Sequence, residues 1–134
     1  MKHITIAIAF LFVFLSSVLA EGKIKVACIG NSVTVGAGIE DRTKTYPAQL
    51  QTMLGDNYVV RNFGKSGATL LKKGHNPYWE QSEFTEALTF KPDIVIIHLG
   101  LNDTDPRNLA RYRDEFTRDY ISLIDTFQSV KPAA

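Results

Sequence analysis

The sequence predicts an α/β protein of the doubly wound type, a flavodoxin-like three-layer α/β/α arrangement on a parallel sheet. Three observations carry that expectation. Three short runs are apolar almost throughout instead of alternating, as strands covered on both faces are. Helical patterns separate them at intervals of about 30 residues, an ordinary length for a βαβ unit. The last long segment is amphipathic with helical spacing, as a helix lying on a sheet must be.

Residues 1–20 stand apart from this pattern. Lys2 and His3 make a short basic start, Ile4 to Leu15 is apolar apart from Thr5, and Val18-Leu19-Ala20 offers the small residues an export peptidase reads. That combination is a secretory signal peptide. The apolar run falls short of the roughly 20 residues a membrane-spanning helix needs. Cleavage near Ala20, an exported (periplasmic or secreted) product and no stable membrane anchor are therefore expected. Residues 21–134 form the expected domain.

The first strand is expected at Lys25–Gly30 (Lys-Val-Ala-Cys-Ile-Gly), the second at Tyr58–Asn62, and the third at Asp93–Leu99. The third, Asp-Ile-Val-Ile-Ile-His-Leu, reads as the most buried. Tyr46 to Leu54 is expected to be a helix, with Thr45 as N-cap and Pro47 in its first turn. Trp79 to Phe90 is a second helix, with Phe84, Ala87 and Leu88 on one face. Asp105-Pro106 supplies an N-cap and a proline at the first helical position for a third. There Leu109, Tyr112, Phe116, Tyr120, Leu123 and Phe127 recur every three or four residues, and Pro132 ends the helix. Three strands make a thin sheet, and a helix of that size normally returns to a further strand. The sequence thus reads as the N-terminal part of a larger unit, interrupted after its third strand and following helix.

Composition excludes several classes of partner. All 14 acidic residues and all but one of the 15 Lys and Arg lie beyond residue 20, which leaves that part with no net formal charge. No basic cluster exceeds Lys72-Lys73, so no nucleic-acid partner is expected. No metal-ligand spacing appears and no cofactor is expected. The single cysteine, Cys28, sits in a strand pattern and is expected to be a small buried hydrophobe. Nothing in the sequence sets an oligomeric state.

In doubly wound sheets the functional groups gather where the strands end. That rule selects three loops: Gly30-Asn31-Ser32-Val33-Thr34-Val35-Gly36-Ala37-Gly38, Asn62-Phe63-Gly64-Lys65-Ser66-Gly67-Ala68, and Gly100-Leu101-Asn102-Asp103. The first places Ser32 between glycines just after a strand, which suits a nucleophile whose own N–H is also a donor; an ordinary turn serine has the same look. The second offers bare backbone N–H groups, Gly67 foremost. The third offers the amide of Asn102, with Asp103 as a helix-start partner.

These three segments resemble the first three sequence blocks of the SGNH (GDSL-like) hydrolases, in order and spacing. The resemblance implies a serine esterase acting on acyl, chiefly acetyl, esters of small molecules or glycans. It implies Ser32 as nucleophile and first oxyanion donor, Gly67 as second donor, and Asn102 as side-chain donor. Position 31 is Asn where that family's name implies Asp. Exported carbohydrate esterases of the family, sialate O-acetylesterases among them, carry such a Gly-Asn-Ser version. The family's late Asp-x-x-His segment has no counterpart in these 134 residues, so the chain alone is expected to be inactive.

His98, inside the third strand, reads as a buried, hydrogen-bonded histidine. His75 lies in a polar loop and reads as solvated and mobile. Asn31, Tyr78 and Trp79 are candidate substrate contacts, the two aromatics either stacking on a sugar ring or, for Trp79, anchoring the helix that follows. Two rival readings stay open. A flavodoxin-like module would cradle a phosphate with Ser32, Thr34, Gly36 and Gly38, and a degenerate relative would bind glycans without catalysis.

Overall fold

The computed structural model describes residues 22–131; the leader expected at residues 1–20 lies outside them. Strand β1 (Ile24–Gly30) is followed by a single-turn helix α1 (Ser32–Val35) and helix α2 (Tyr46–Leu54). Strand β2 (Tyr58–Gly64), helix α3 (Ser82–Phe90), strand β3 (Ile94–His98), helix α4 (Pro106–Tyr112) and helix α5 (Phe116–Val130) complete the order. The strands form one parallel sheet in the order β2-β1-β3. Gly30 pairs with Gly64 on one side and with His98 on the other, so the three strands end level. Sequence order reverses around β1, and the crevice at such a reversal is where doubly wound sheets bind their ligands.

Both faces of β1 are covered. Ala27 and Ile29 pack into a cluster with Phe63, Leu70, Tyr78, Ala87, Phe90, Leu123 and Phe127, which brings α3 and α5 onto one face. Phe84 sits at the centre of this layer, edge-on to Phe127 and to Tyr78 at 6.0 Å. Each such side chain contributes about 1.5–3 kcal/mol by leaving water. Cys28 is fully buried, as expected. Burial pushes its thiol pKa up, against the pull of a hydrogen bond with Tyr46 of α2. Burial likewise pushes the Tyr46 hydroxyl up to about 12.

Four expectations need correction. β1, not β3, is the most buried strand, because β1 has a partner on each side whereas β3 is an edge among the described residues. Ile94 is 46% exposed and His98 is exposed as well, not buried. The second helix begins only at Ser82: a 3-10 turn at Tyr78–Glu80 follows Pro77, and extended Gln81 separates the two. The third helix is two helices, with a 3-10 turn over Arg113–Glu115 between them. The break lets α4 turn its polar Asn108 inward, fully buried, while Leu109 is 39% exposed. Asp105 caps α4 as expected, its carboxylate accepting from the Arg107 N–H at 2.9 Å. Among the described residues no helix is long and apolar enough to cross a membrane.

Candidate active site

The first loop is built by close approach. α1 lies directly on the ends of β1 and β2, in space that only glycine leaves. A Cβ on Gly30 would stand 2.1 Å from Thr34 Oγ1, and one on Gly64 would stand 2.5 Å from the Val35 nitrogen. Asn31 caps α1: its Oδ1 accepts from the Val33 N–H at 3.0 Å. Its own N–H donates to His98 O at 3.2 Å, which ties the first loop to the end of β3. Asn31 is fully buried, so it shapes the loop and the substrate-contact reading is withdrawn. Its Nδ2 has no hydrogen-bond partner among the described residues. Ser32 opens α1, where an N–H has no acceptor within the helix. Val33, beside it, is 48% exposed.

The phosphate-cradle reading, which named Ser32, Thr34, Gly36 and Gly38, loses Gly36 and Thr34 as donors here. The Gly36 N–H is spent on Ser32 O and Val33 O, and the Ala37 N–H on Ser32 O. Thr34 is fully buried, its hydroxyl bonded to Tyr46 Oη at 3.1 Å.

The second loop leaves β2 through a tight turn. Lys65 N–H reaches back to Gly30 O at 2.8 Å, and Ala68 N–H closes onto Lys65 O at 3.1 Å. Gly67 holds the third position with φ of +79°, a conformation other residues rarely adopt. Among the described residues its N–H donates to no protein acceptor.

The third loop is tied to that turn. Asn102 Nδ2 donates to Ala68 O at 2.8 Å, which leaves its second N–H unspent. The three loops are therefore joined at one end of one sheet by direct hydrogen bonds: Lys65 to Gly30, Asn31 to His98, Asn102 to Ala68. Together they offer a hydroxyl and three N–H donors, the parts an acyl-transfer site needs.

Three residues that shape this site had been read otherwise or passed over. Asp103 is not a helix-start partner. It is buried, and its two oxygens accept from the Leu70 N–H at 2.9 Å and the Leu71 N–H at 2.7 Å. Buried Asp119 accepts from the Lys72 N–H at 2.9 Å. Asn108 accepts from the His75 N–H and donates to His75 Nδ1 and to Asn102 O, each at 2.9 Å. His75 is thus exposed but fixed, not mobile. An acid directly after the Gly-Leu-Asn segment and polar residues on the sheet-facing side of two helices were the available signals.

Two aromatic candidates move into the structure. Tyr78 has no exposed surface, and its hydroxyl donates to Phe63 O at 2.7 Å. A fully buried ring cannot stack on a sugar, so the substrate reading fails for Tyr78. Burial also pushes its hydroxyl pKa up. Trp79 donates its indole N–H to Leu70 O at 2.8 Å and packs against Phe84. Lys72 Nζ lies 4.2 Å over its ring, and these contacts are those of an anchor for the helix that follows. Among the described residues no group of three potential metal ligands occurs.

A model of the GDSL-like lipase/acylhydrolase family matches residues 28–134. An acetylxylan esterase of Xylanibacter ruminicola is 52% identical over 105 residues, 78% of this chain but 22% of that enzyme. The chain thus spans less than a quarter of the length of the curated relative it matches. Among solved structures, the SGNH-hydrolase family esterase AlinE4 aligns with a TM-score of 0.57 and 24% identity, over 83% of this chain and 56% of that one. A mutant of the same esterase aligns equally well. At that identity the likeness is one of fold.

Proposed function

Because the chain belongs to the GDSL-like lipase/acylhydrolase family, we propose that it carries the nucleophile and the oxyanion hole of an exported serine esterase. The substrates proposed are acyl esters, acetyl groups on carbohydrate first among them. The similarity to an acetylxylan esterase supports that choice.

Ser32 Oγ attacks the ester carbonyl. The oxygen of the tetrahedral intermediate is received by the Ser32 N–H, the Gly67 N–H and the free N–H of Asn102 Nδ2. Such donors act in place, without reorganising as charge develops, and one alone is worth about 10²–10³ in rate. The alcohol leaves, an acyl-Ser32 forms, and water releases the acid. The proton on Ser32 needs a base. Neither His75, whose Nδ1 is engaged by Asn108, nor His98 is hydrogen-bonded to a carboxylate among the described residues. We assign the base to a histidine outside these 134 residues.

One observation carries the reading. The amide of Asn102 is hydrogen-bonded to the residue next to Gly67, so two side-by-side donors are held in one structure after β2 and β3. The test is Ser32→Ala in the native full-length protein, with 4-nitrophenyl acetate and acetylated xylan as substrates. A loss on the order of 10⁶ in kcat is expected from comparable serine enzymes. Retained turnover would sink the assignment. Purified 21–134 is expected to hydrolyse neither substrate.

A further inference from the structure

The donor at Gly67 belongs to a peptide unit with a second end. Its N–H and the Ser66 carbonyl lie in one plane and point in opposite directions. In a four-residue turn closed from Ala68 N–H to Lys65 O, that middle peptide can face either way, and glycine at the third position tolerates both. Something must hold it for the N–H to serve as a preorganised donor.

Asn76 touches this peptide. Its Nδ2 donates to Ser66 O at 3.5 Å and stands 3.3 Å from where a Cβ of Gly67 would be. The Asn76 backbone is pinned by the Thr69 N–H on Asn76 O at 2.9 Å, within a parallel bridge joining Thr69 to Pro77. Its amide is oriented by Gln81, whose Nε2 donates to Asn76 Oδ1 at 3.1 Å and to Pro77 O at 2.9 Å. Gln81 is extended and precedes α3, so the brace is anchored outside the loop it steadies.

We propose that Asn76, held by Gln81, is a positioning residue that fixes the Ser66–Gly67 peptide with its N–H toward the oxyanion. This rests on the oxyanion role given to Gly67 above. Asn76 touches neither substrate nor reacting atoms. Its contribution is the orientation of one donor, so it acts on the transition state and not on ground-state binding.

The test uses the native full-length protein and 4-nitrophenyl acetate. Asn76→Ala is expected to lower kcat about tenfold with KM unchanged, a fraction of the effect of losing an oxyanion donor outright. Asn76→Asp keeps the shape but sets a carboxylate against the Ser66 carbonyl, which drives the peptide over, and the loss is expected to be larger. Gln81→Ala is expected to lower kcat several-fold and to add nothing when combined with Asn76→Ala. Melting temperatures are measured alongside, and Gln81→Ala, outside the loop, decides the matter if the Asn76 variants do not fold. Wild-type kcat in Asn76→Asp and Gln81→Ala, or a raised KM at constant kcat, overturns the proposal. An active Ser32→Ala protein would instead remove the reading on which it rests.

Discussion

The loops after β1 and β2 meet at the same end of the sheet, yet the balance of forces that holds them differs. The first is positioned by what is missing. Gly30 and Gly64 have no Cβ, and α1 settles onto the bare strand ends. The second is positioned by what is buried. In the stretch that continues it, Asp103, Asp119 and Asn108 reach under the segment 70–75 and accept from the N–H groups of Leu70, Leu71, Lys72 and His75. The lesson is that two loops that meet at one sheet end, here those proposed to carry a nucleophile and its oxyanion donors, need not be fixed by the same forces. A loop set by close packing is sensitive to added volume, and one set by buried hydrogen bonds is sensitive to lost acceptors.

Removing an acceptor from the second loop should have the largest effect. Asp103→Ala orphans two buried N–H groups at once and is expected to cost about 3–4 kcal/mol, read as a drop in the denaturant midpoint of the native-length protein. A cost under about 1 kcal/mol would mean that water replaces the carboxylate, and the contrast between the loops would weaken. Adding one methyl to the first loop comes next. The Cβ of Gly64→Ala would meet backbone atoms of Thr34 and Val35 at 2.9 and 2.5 Å. Overpacking of that kind costs about 1–3 kcal/mol. Esterase activity should fall further than stability implies, since α1 carries Ser32. The smallest effect sharpens the comparison from the other side. Thr34→Val deletes a hydroxyl from the close-packed loop while nearly keeping its shape, and about 1 kcal/mol is expected for the lost bond to Tyr46. A much larger loss in thermal or denaturant unfolding would show that this loop, too, depends on polar contacts.

The same contrast explains what was legible in the sequence. The strands, the order β-α-β-α-β-α and the loops at the strand ends followed from apolar runs and glycine placement, because local pattern and tertiary environment agree there. The close-packed loop was visible as Gly-Asn-Ser, since glycine announces an approach of backbone to backbone. The polar-bolted loop was not. Asp103 looks like any acid at a helix start, and Asn108 like a solvated residue beside apolar Leu109. Only their partners, 33 residues away in sequence, give them roles. The misread aromatic contact has the same cause. Tyr78 sits in a polar stretch, but its ring faces Phe84 and its hydroxyl finds Phe63 O. The apolar content of β3 suggested centrality, which belongs to whichever strand has two neighbours, and pairing order is not written in hydropathy.

Cys28 lies sealed between the sheet and α2, with its thiol held protonated by burial. That burial keeps the lone sulfur out of thiol–disulfide exchange as soon as the sheet closes over it. Alkylating reagents would meet that atom only in molecules that have opened, which makes the residue a natural clock for how often the centre of the fold comes apart.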